Sequence, residues 1–322
     1  MSTTPRTRRL VRIAAGAVFV GFLAAAVASQ RDEIGDAADA LSPATIALSG
    51  LPVLVGLYCS MQSWRAVLAD LGSTLPRRTA LRIFFLGQLG KYVPGSVWPV
   101  LAQMELGRDH KVPRARTAAA GVVAVALGLT AALLVAALTL PFLGEGGRYL
   151  AALVVLPVAL FFLHPRVLTP LINRGLRLIR RQQLDRALTL GGISRGVAWA
   201  AATWLCNGVH VWVVARDLGA TGSTGRLLAL SIGSFAVSWA AGFLVFVAPA
   251  GAGAREAALV VTMGSVLPTG AATLLALVSR AVLTLADIAW AAVAVAGSRR
   301  TMAALRADAA TANSSAESTD ST

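Results

Sequence analysis

Apolar runs longer than about 18 residues, the length that marks a membrane-crossing helix, recur along this chain. Leu10 to Ser29 is one, 117–141 another and 270–296 a third. A surface helix of a soluble protein carries one apolar stripe and one polar face. These runs are apolar all round, and backbone in hydrocarbon must satisfy its hydrogen bonds within the segment, so they are helices. Charged residues make up 14% of the chain, against roughly 25% in soluble domains. A soluble enzyme, a coiled coil and a disordered chain are thereby excluded. The sequence predicts an all-α polytopic membrane protein with about 6–7 full transmembrane helices.

A net charge of +14 in a soluble chain would suggest nucleic acid. Here the location of the basic residues decides the matter. Of the 29 Lys and Arg, 22 fall in the N-terminal segment, in 65–82, 108–116 and 166–195, and after 298. Alternate loops hold only Arg31, Arg148, Arg216 and Arg226. This is the positive-inside pattern, and it places both termini in the cytoplasm of a bacterial-type plasma membrane. The basic residues are spread over loops without interleaved aromatics, so no nucleic-acid partner is expected.

The spans read as 10–29, 44–64, 117–141, 149–164, 197–215 and 270–296. An acidic outer loop with Asp32, Glu33, Asp36 and Asp39 follows the first of them. The long inner loop 165–196 contains a basic, partly amphipathic stretch, Leu171 to Leu190. It fits either a solvated cytoplasmic helix or an interfacial helix drawn to anionic lipid. Residues 1–298 form the membrane domain, and 299–322, rich in Ala, Ser and Thr, are expected to be a disordered cytoplasmic tail.

Two apolar stretches are interrupted at their centres. Segment 83–107 breaks at Tyr92-Val93-Pro94-Gly95 and has basic clusters on both sides. A full crossing would place one cluster outside, so the segment is expected to enter from the inside, turn at Pro94-Gly95 and leave on the same side. Each arm of such a hairpin reaches roughly 16 Å, about half the membrane. Segment 227–268 breaks at Pro249-Ala250-Gly251-Ala252-Gly253-Ala254 and must begin and end outside if the last span is to end at Arg299-Arg300. Two Pro/Gly-broken re-entrant hairpins of opposite orientation, one in each half, point to an inverted repeat with its site near the midplane.

Ionisable residues at membrane depth are costly and mark function. Lys91 lies beside the first break; Arg255 and Glu256 close the second. Arg280 and Asp287, seven residues apart on the last helix, share a face. Glu105 is expected near the inner surface, and snorkelling is an alternative account of Glu105 and Lys91. Arg255 at the start of a helix suits a phosphate. Glu256 is equally a helix-start acid or a partner for Lys91 or Arg280. Every candidate role here is binding; no catalytic residue is expected.

Other chemistry is missing from the pattern. Cys59 and Cys206 each sit in an apolar run and read as buried small hydrophobes. His110, His164 and His210 are scattered, and the chain has no HExxH, GxSxG or Walker A motif. No metal site, cofactor or enzymatic activity is expected. Trp and Tyr residues mostly fit interface belts, with Trp98, Trp204 and Trp212 able to pack in the bundle.

The two breaks also carry a resemblance. Gly90-Lys91-Tyr92-Val93-Pro94-Gly95-Ser96-Val97-Trp98 resembles the GKY-hydrophobic-PG-x-x-W signature of the lysylphosphatidylglycerol synthase transmembrane region, a flippase-like family. Pro249 to Glu256 is similar to that family's PGGxGxRE motif, with Ala250 in place of Gly, Ala254 in place of a branched residue, and Ser96 where a basic residue is common. The resemblance covers about residues 10–298. It implies translocation of a lipid with an anionic headgroup, either a phospholipid or a polyprenyl-phosphate-linked glycolipid. The alternative is a non-catalytic membrane partner of a glycosyltransferase in cell-envelope glycolipid synthesis. Aminoacyl transfer in such enzymes resides in a large soluble domain, and with only about 25 residues after the last span that activity is not expected here. The residues expected at the substrate are Lys91, Tyr92, Pro94, Gly95, Trp98, Gly251, Gly253, Arg255, Glu256, Arg280 and Asp287.

Overall fold

A computed structural model describes residues 31–92, 97–139, 157–158, 161–178, 183–184, 186–244, 251 and 253–320. Every regular element among them is helical. In chain order these are α1 (Arg31–Ala40), α2 (Pro43–Asp70), α3 (Arg77–Gln88), a 3-10 turn (Leu89–Tyr92), α4 (Trp98–Arg108) and α5 (Arg114–Thr139). Then follow α6 (Pro165–Leu178), α7 (Leu190–Asp217), α8 (Thr224–Leu244), α9 (Ala254–Met263) and α10 (Thr269–Asp320). Five helices are long and apolar enough to cross a membrane: α2, α5, α7, α8 and the Thr269–Gly297 part of α10. Expected span 10–29 and most of 149–164 lie outside the described residues.

Local chemistry sets the ends of the central pair, α2 and α7. Ser42 caps α2, its hydroxyl accepting the Ala44 N–H at 3.2 Å, with Pro43 at the first helical position. Thr189 caps α7 by accepting from Gly192 N at 3.0 Å. The two helices run antiparallel, and an aspartate staples each end. Asp217 Oδ2 accepts Ser42 N at 2.8 Å. Asp70 accepts Thr189 N and the Thr189 hydroxyl, both at 2.7 Å. A Cβ on Gly192 would overlap the Asp70 carboxyl, so the small residue lets the helices meet there.

These contacts assign the remaining ends. Arg116, at the start of α5, donates to Gly72 O at 3.1 Å just beyond the end of α2. Arg114 pairs with Glu105 near the end of α4 at 2.5 Å, and Arg65 donates to Leu75 O at 2.8 Å before the start of α3. The start of α3 and the end of α4 therefore share the end of the bundle where α2 finishes. At the opposite end, Thr221 N, preceding α8, donates to Val266 O, following α9, at 3.4 Å.

Two differences from the sequence analysis concern helix extent. The acidic segment expected as an outer loop is the helix α1, and its Ala37 packs against the core around α7 and α8. α10 continues to Asp320, where a disordered tail is expected. Alanine has the highest helix propensity, and extending an existing helix requires no new nucleus. Amphipathic α6 (Pro165–Leu178) takes up the first part of the expected Leu171 to Leu190 stretch, residues 179–182 and 185 lie outside the described residues, and side-chain bonds hold positions beyond them. Asn173 accepts Leu184 N at 3.0 Å, and Thr169 accepts Leu188 N at 3.3 Å.

Among the described residues two large apolar clusters hold the bundle, with a small third of Val53, Val282 and Ala286 between α2 and α10. One gathers Trp204, Phe235, Leu259 and Leu275 from α7 to α10. The other gathers Trp64, Phe84, Phe85 and Leu127 from α2, α3 and α5. Trp290 ties α10 to the second. It stacks on Phe85 at 4.9 Å, and its indole N–H donates to Leu54 O at 3.0 Å.

Candidate functional site

Each interrupted segment forms its break through glycine. After α3 the chain makes one 3-10 turn, and a Cβ on Gly90 would lie 2.8 Å from the Trp98 carbonyl carbon. Only glycine lets the two arms approach this closely. In the second break, Gly251 has φ +68° and its backbone abuts Gly242 of α8; a Cβ there would sit 2.7 Å from Gly242 Cα. Gly253 precedes α9, and Glu256 Oε2 folds back to accept its N–H at 2.6 Å. The turn between the arms of the first segment, including Pro94 and Gly95, lies outside the described residues, as do 245–250 of the second.

Both breaks reach α10. Lys91 Nζ lies 2.5 Å from Asp287 Oδ2, and the Tyr92 hydroxyl donates to the same oxygen at 2.7 Å. The Lys91 ammonium also stands 5.5 Å above the Tyr92 ring. One rung away on the same helix, Arg280 donates to Glu256 Oε1 at 3.2 Å. Seven residues of helix separate the two anchor points by roughly 10 Å. Arg280 and Asp287 flank the centre of the Thr269–Gly297 span, so the cluster is at membrane depth. Asp287 is buried at 3% exposure, and Arg280, 26% exposed, is engaged by Glu256.

Arg255 completes the cluster. Its backbone carbonyl accepts the Ser238 hydroxyl at 2.6 Å, and its guanidinium lies 5.6 Å from the Phe235 ring centre. Among the described residues no carboxylate lies within ion-pair distance of that guanidinium. Three cations (Lys91, Arg255, Arg280) thus face two carboxylates (Glu256, Asp287), a formal excess of one positive charge. A desolvated excess cation is favourable only where an anion visits.

A cavity of about 290 Å³ opens at the seam between the two apolar clusters. Lys91 lines it from the first break, Gly251 and Arg255 from the second. The rest of its wall is mostly aliphatic and aromatic, with some neutral polar side chains, and comes from α2, α3, α4, α5, α7, α8 and α10. Arg255 also borders a smaller pocket with Glu256 and Arg280. Of the expected substrate residues, Lys91, Gly251 and Arg255 border the main cavity, and Tyr92, Glu256, Arg280 and Asp287 hold its charges in place. Gly253 forms the turn. Trp98 starts α4 at 42% exposure and is not part of the cavity wall.

Sequence reasoning passed over the uncharged part of the wall: Trp64, Gln103, Asn207, Ser60, Ser63 and Thr203. The available signal was an amide inside an otherwise apolar run, as in Trp204-Leu205-Cys206-Asn207. The remaining single residues keep structural roles. His210 is fully buried, with Nδ1 3.1 Å from Ser49 O. Trp204 is buried, donates to Gly128 O at 3.1 Å and also forms part of the cavity wall. Glu105 is exposed at the bundle end, where Arg114 and then Arg108 hold its carboxyl below the ordinary glutamate range.

The model of the family described as the lysylphosphatidylglycerol synthase TM region matches residues 9–291. No curated protein matches the chain. The family match and the five apolar helices make this a multi-pass membrane protein.

Proposed function

The chain belongs to the family of lysylphosphatidylglycerol synthase transmembrane regions, and on that premise we propose that it is a lipid translocator of a bacterial-type plasma membrane. It moves a lipid with an anionic headgroup, an anionic phospholipid or a polyprenyl-phosphate-linked glycolipid, between leaflets, as a carrier and not as an enzyme. The α3–α4 and α8–α9 pairs act as re-entrant hairpins of an inverted repeat, entering from the cytoplasmic and outer faces respectively. Their meeting point is the midplane site.

The observation that carries this reading is the convergence of both breaks on one cavity with an excess cation. Arg255, with its free fork, takes two phosphate oxygens. The Lys91 ammonium keeps donors beyond the one used by Asp287. Asp287 and Glu256 hold Lys91 and Arg280 when no lipid is present, which avoids the cost of bare buried cations. The headgroup occupies the cavity while the acyl chains stay in the bilayer.

Charge-assisted bonds contribute about 1.5–3 kcal/mol each, so loss of one weakens binding roughly 10- to 100-fold. Lys91→Ala and Arg255→Ala, reconstituted in proteoliposomes with fluorescent anionic lipid, should each abolish translocation per folded molecule, Arg255→Ala at unchanged yield and Lys91→Ala at a lower yield because Asp287 loses its partner. Arg255→Lys should be partly defective, because charge remains but the fork is lost. Wild-type rates in both alanine variants would overturn the reading.

A further inference from the structure

Helix α6 lies apart from the cavity, and its amphipathic sequence contains no acidic residue. Its place is one end of the bundle. Leu168 is buried in, and Ile172 packs against, the cluster that holds Leu68 and Leu71 from the end of α2 and Ile193 from the start of α7. Thr169 accepts Leu188 N, beside Thr189, which bonds Asp70. The 28 residues of α2 rise about 42 Å, close to the thickness of a bilayer with its headgroups. Asp70 and its surroundings, α6 among them, therefore stand at headgroup level.

At about 100° per residue, α6 divides into flanks with different occupants. Leu168 and Ile172 face the bundle. Thr169 and Asn173, on the next flank, hold the backbone at 188 and 184. Arg166, Arg174 and Arg177 follow; all three are exposed, and none has an ion-pair partner among the described residues. Leu171, 49% exposed, closes the circle between the arginines and the bundle. Phe161 and Phe162, just before the helix, are exposed as well. A helix solvated by the cytoplasm needs one apolar face, the one packed on the bundle. A helix at a membrane surface needs a second, turned to the acyl chains and bordered by its cations. At headgroup level the material that meets both exposed flanks is lipid: phosphate for the guanidiniums and hydrocarbon for the leucine.

From this arrangement we infer that α6 is a membrane-interface helix that binds the anionic headgroups of the leaflet around this end of the bundle. Its arginines sit at the phosphates and Leu171 at the acyl boundary. The surface is distinct from the midplane cavity, and the inference rests on the chain being embedded in a membrane, not on what the cavity carries.

Hydrogen exchange of the full chain in lipid nanodiscs, read at the amides of 165–178, tests it. One set of discs is phosphatidylcholine alone; the other is phosphatidylcholine mixed with phosphatidylserine. A basic residue near an anionic surface contributes about 5-fold, so α6 should exchange roughly 10- to 100-fold more slowly in the anionic discs. Arg166→Gln, Arg174→Gln and Arg177→Gln combined should abolish the difference between the discs, and unchanged exchange of α2 and α7 reports that the variant is folded. Leu171→Gln should speed α6 exchange about 3-fold in both sets. Equal wild-type exchange in the two sets, a difference that survives the triple substitution, or an unchanged rate in Leu171→Gln would overturn the inference. Soluble polyglutamate protecting α6 in neutral discs as well as anionic lipid does would assign the face to an acidic protein and overturn it too. Because α6 does not border the cavity, each of these results is separate from success or failure of the translocator reading.

Discussion

Replacing Asp287 with asparagine should cost more than the hydrogen bonds it alters. Asp287 is 3% exposed and accepts both the Lys91 ammonium and the Tyr92 hydroxyl on one oxygen. Removing one partner of a buried ion pair costs about 3–5 kcal/mol, because the other charge stays desolvated. Lys91 retains 30% exposure and faces the cavity, so solvent there reduces the figure to about 2–3 kcal/mol. The reciprocal change, Lys91→Met, strands a carboxylate in a drier place and should cost about 3–4 kcal/mol. The double variant removes both charges, and the asparagine carbonyl can still accept from Tyr92. It should be more stable than either single variant, since neutral replacement of a whole buried pair is often harmless. Thermal unfolding of the four proteins in detergent reads this as a double-mutant cycle. Asp287→Asn should lower Tm on the order of 5 °C, and the double variant should recover most of it. The double variant should nevertheless fail to translocate lipid, which separates folding from binding. Additive losses in the cycle would refute the pairing argument.

Three further outcomes are expected. Cysteines placed at Arg82 and Arg108, on the outer parts of α3 and α4, should both react with impermeant reagent from the cytoplasmic side only; labelling from opposite sides would exclude a hairpin. Gly90→Ala places a methyl 2.8 Å from the Trp98 backbone and should destabilise by about 1–3 kcal/mol, seen as a lower Tm; a neutral result would mean the arms do not approach as described. Asp70→Ala removes two bonds to Thr189 at the exposed end of α2 and α7. It should cost about 1–2 kcal/mol in thermal unfolding without changing the lipid affinity of the remaining folded protein.

Membrane topology is written in single residues along the chain. Hydrocarbon forces each long apolar run into a helix, because that constraint acts on local sequence, and the 22 clustered basic residues carry the expected orientation of those helices. The second break was equally visible, since Gly251 and Gly253 stand where φ is positive, whereas the close approach at Gly90 was not read from the sequence and the expected turn at Pro94-Gly95 lies outside the described residues. The extent of α1 and α10 was not legible either. Helix ends depend on what the segment packs against and on whether an existing helix can simply continue.

What binds what was decided by three-dimensional packing. That Arg280 and Asp287 share a face follows from their spacing. That Lys91 and Tyr92 reach Asp287 while Glu256 takes Arg280, leaving Arg255 as the cation without a carboxylate among the described residues, depends on how the two interrupted segments seat against α10. The uncharged wall depends on it still more. Trp64, Gln103 and Asn207 are far apart in sequence and read individually as ordinary residues of apolar helices. Only the antiparallel packing of α2 on α7, with α4 packed on α3 and α5, places the three side chains on the wall of the cavity that the two breaks share. Charge and hydropathy are properties of a residue and its neighbours in the chain, whereas a binding wall is a property of distances between helices.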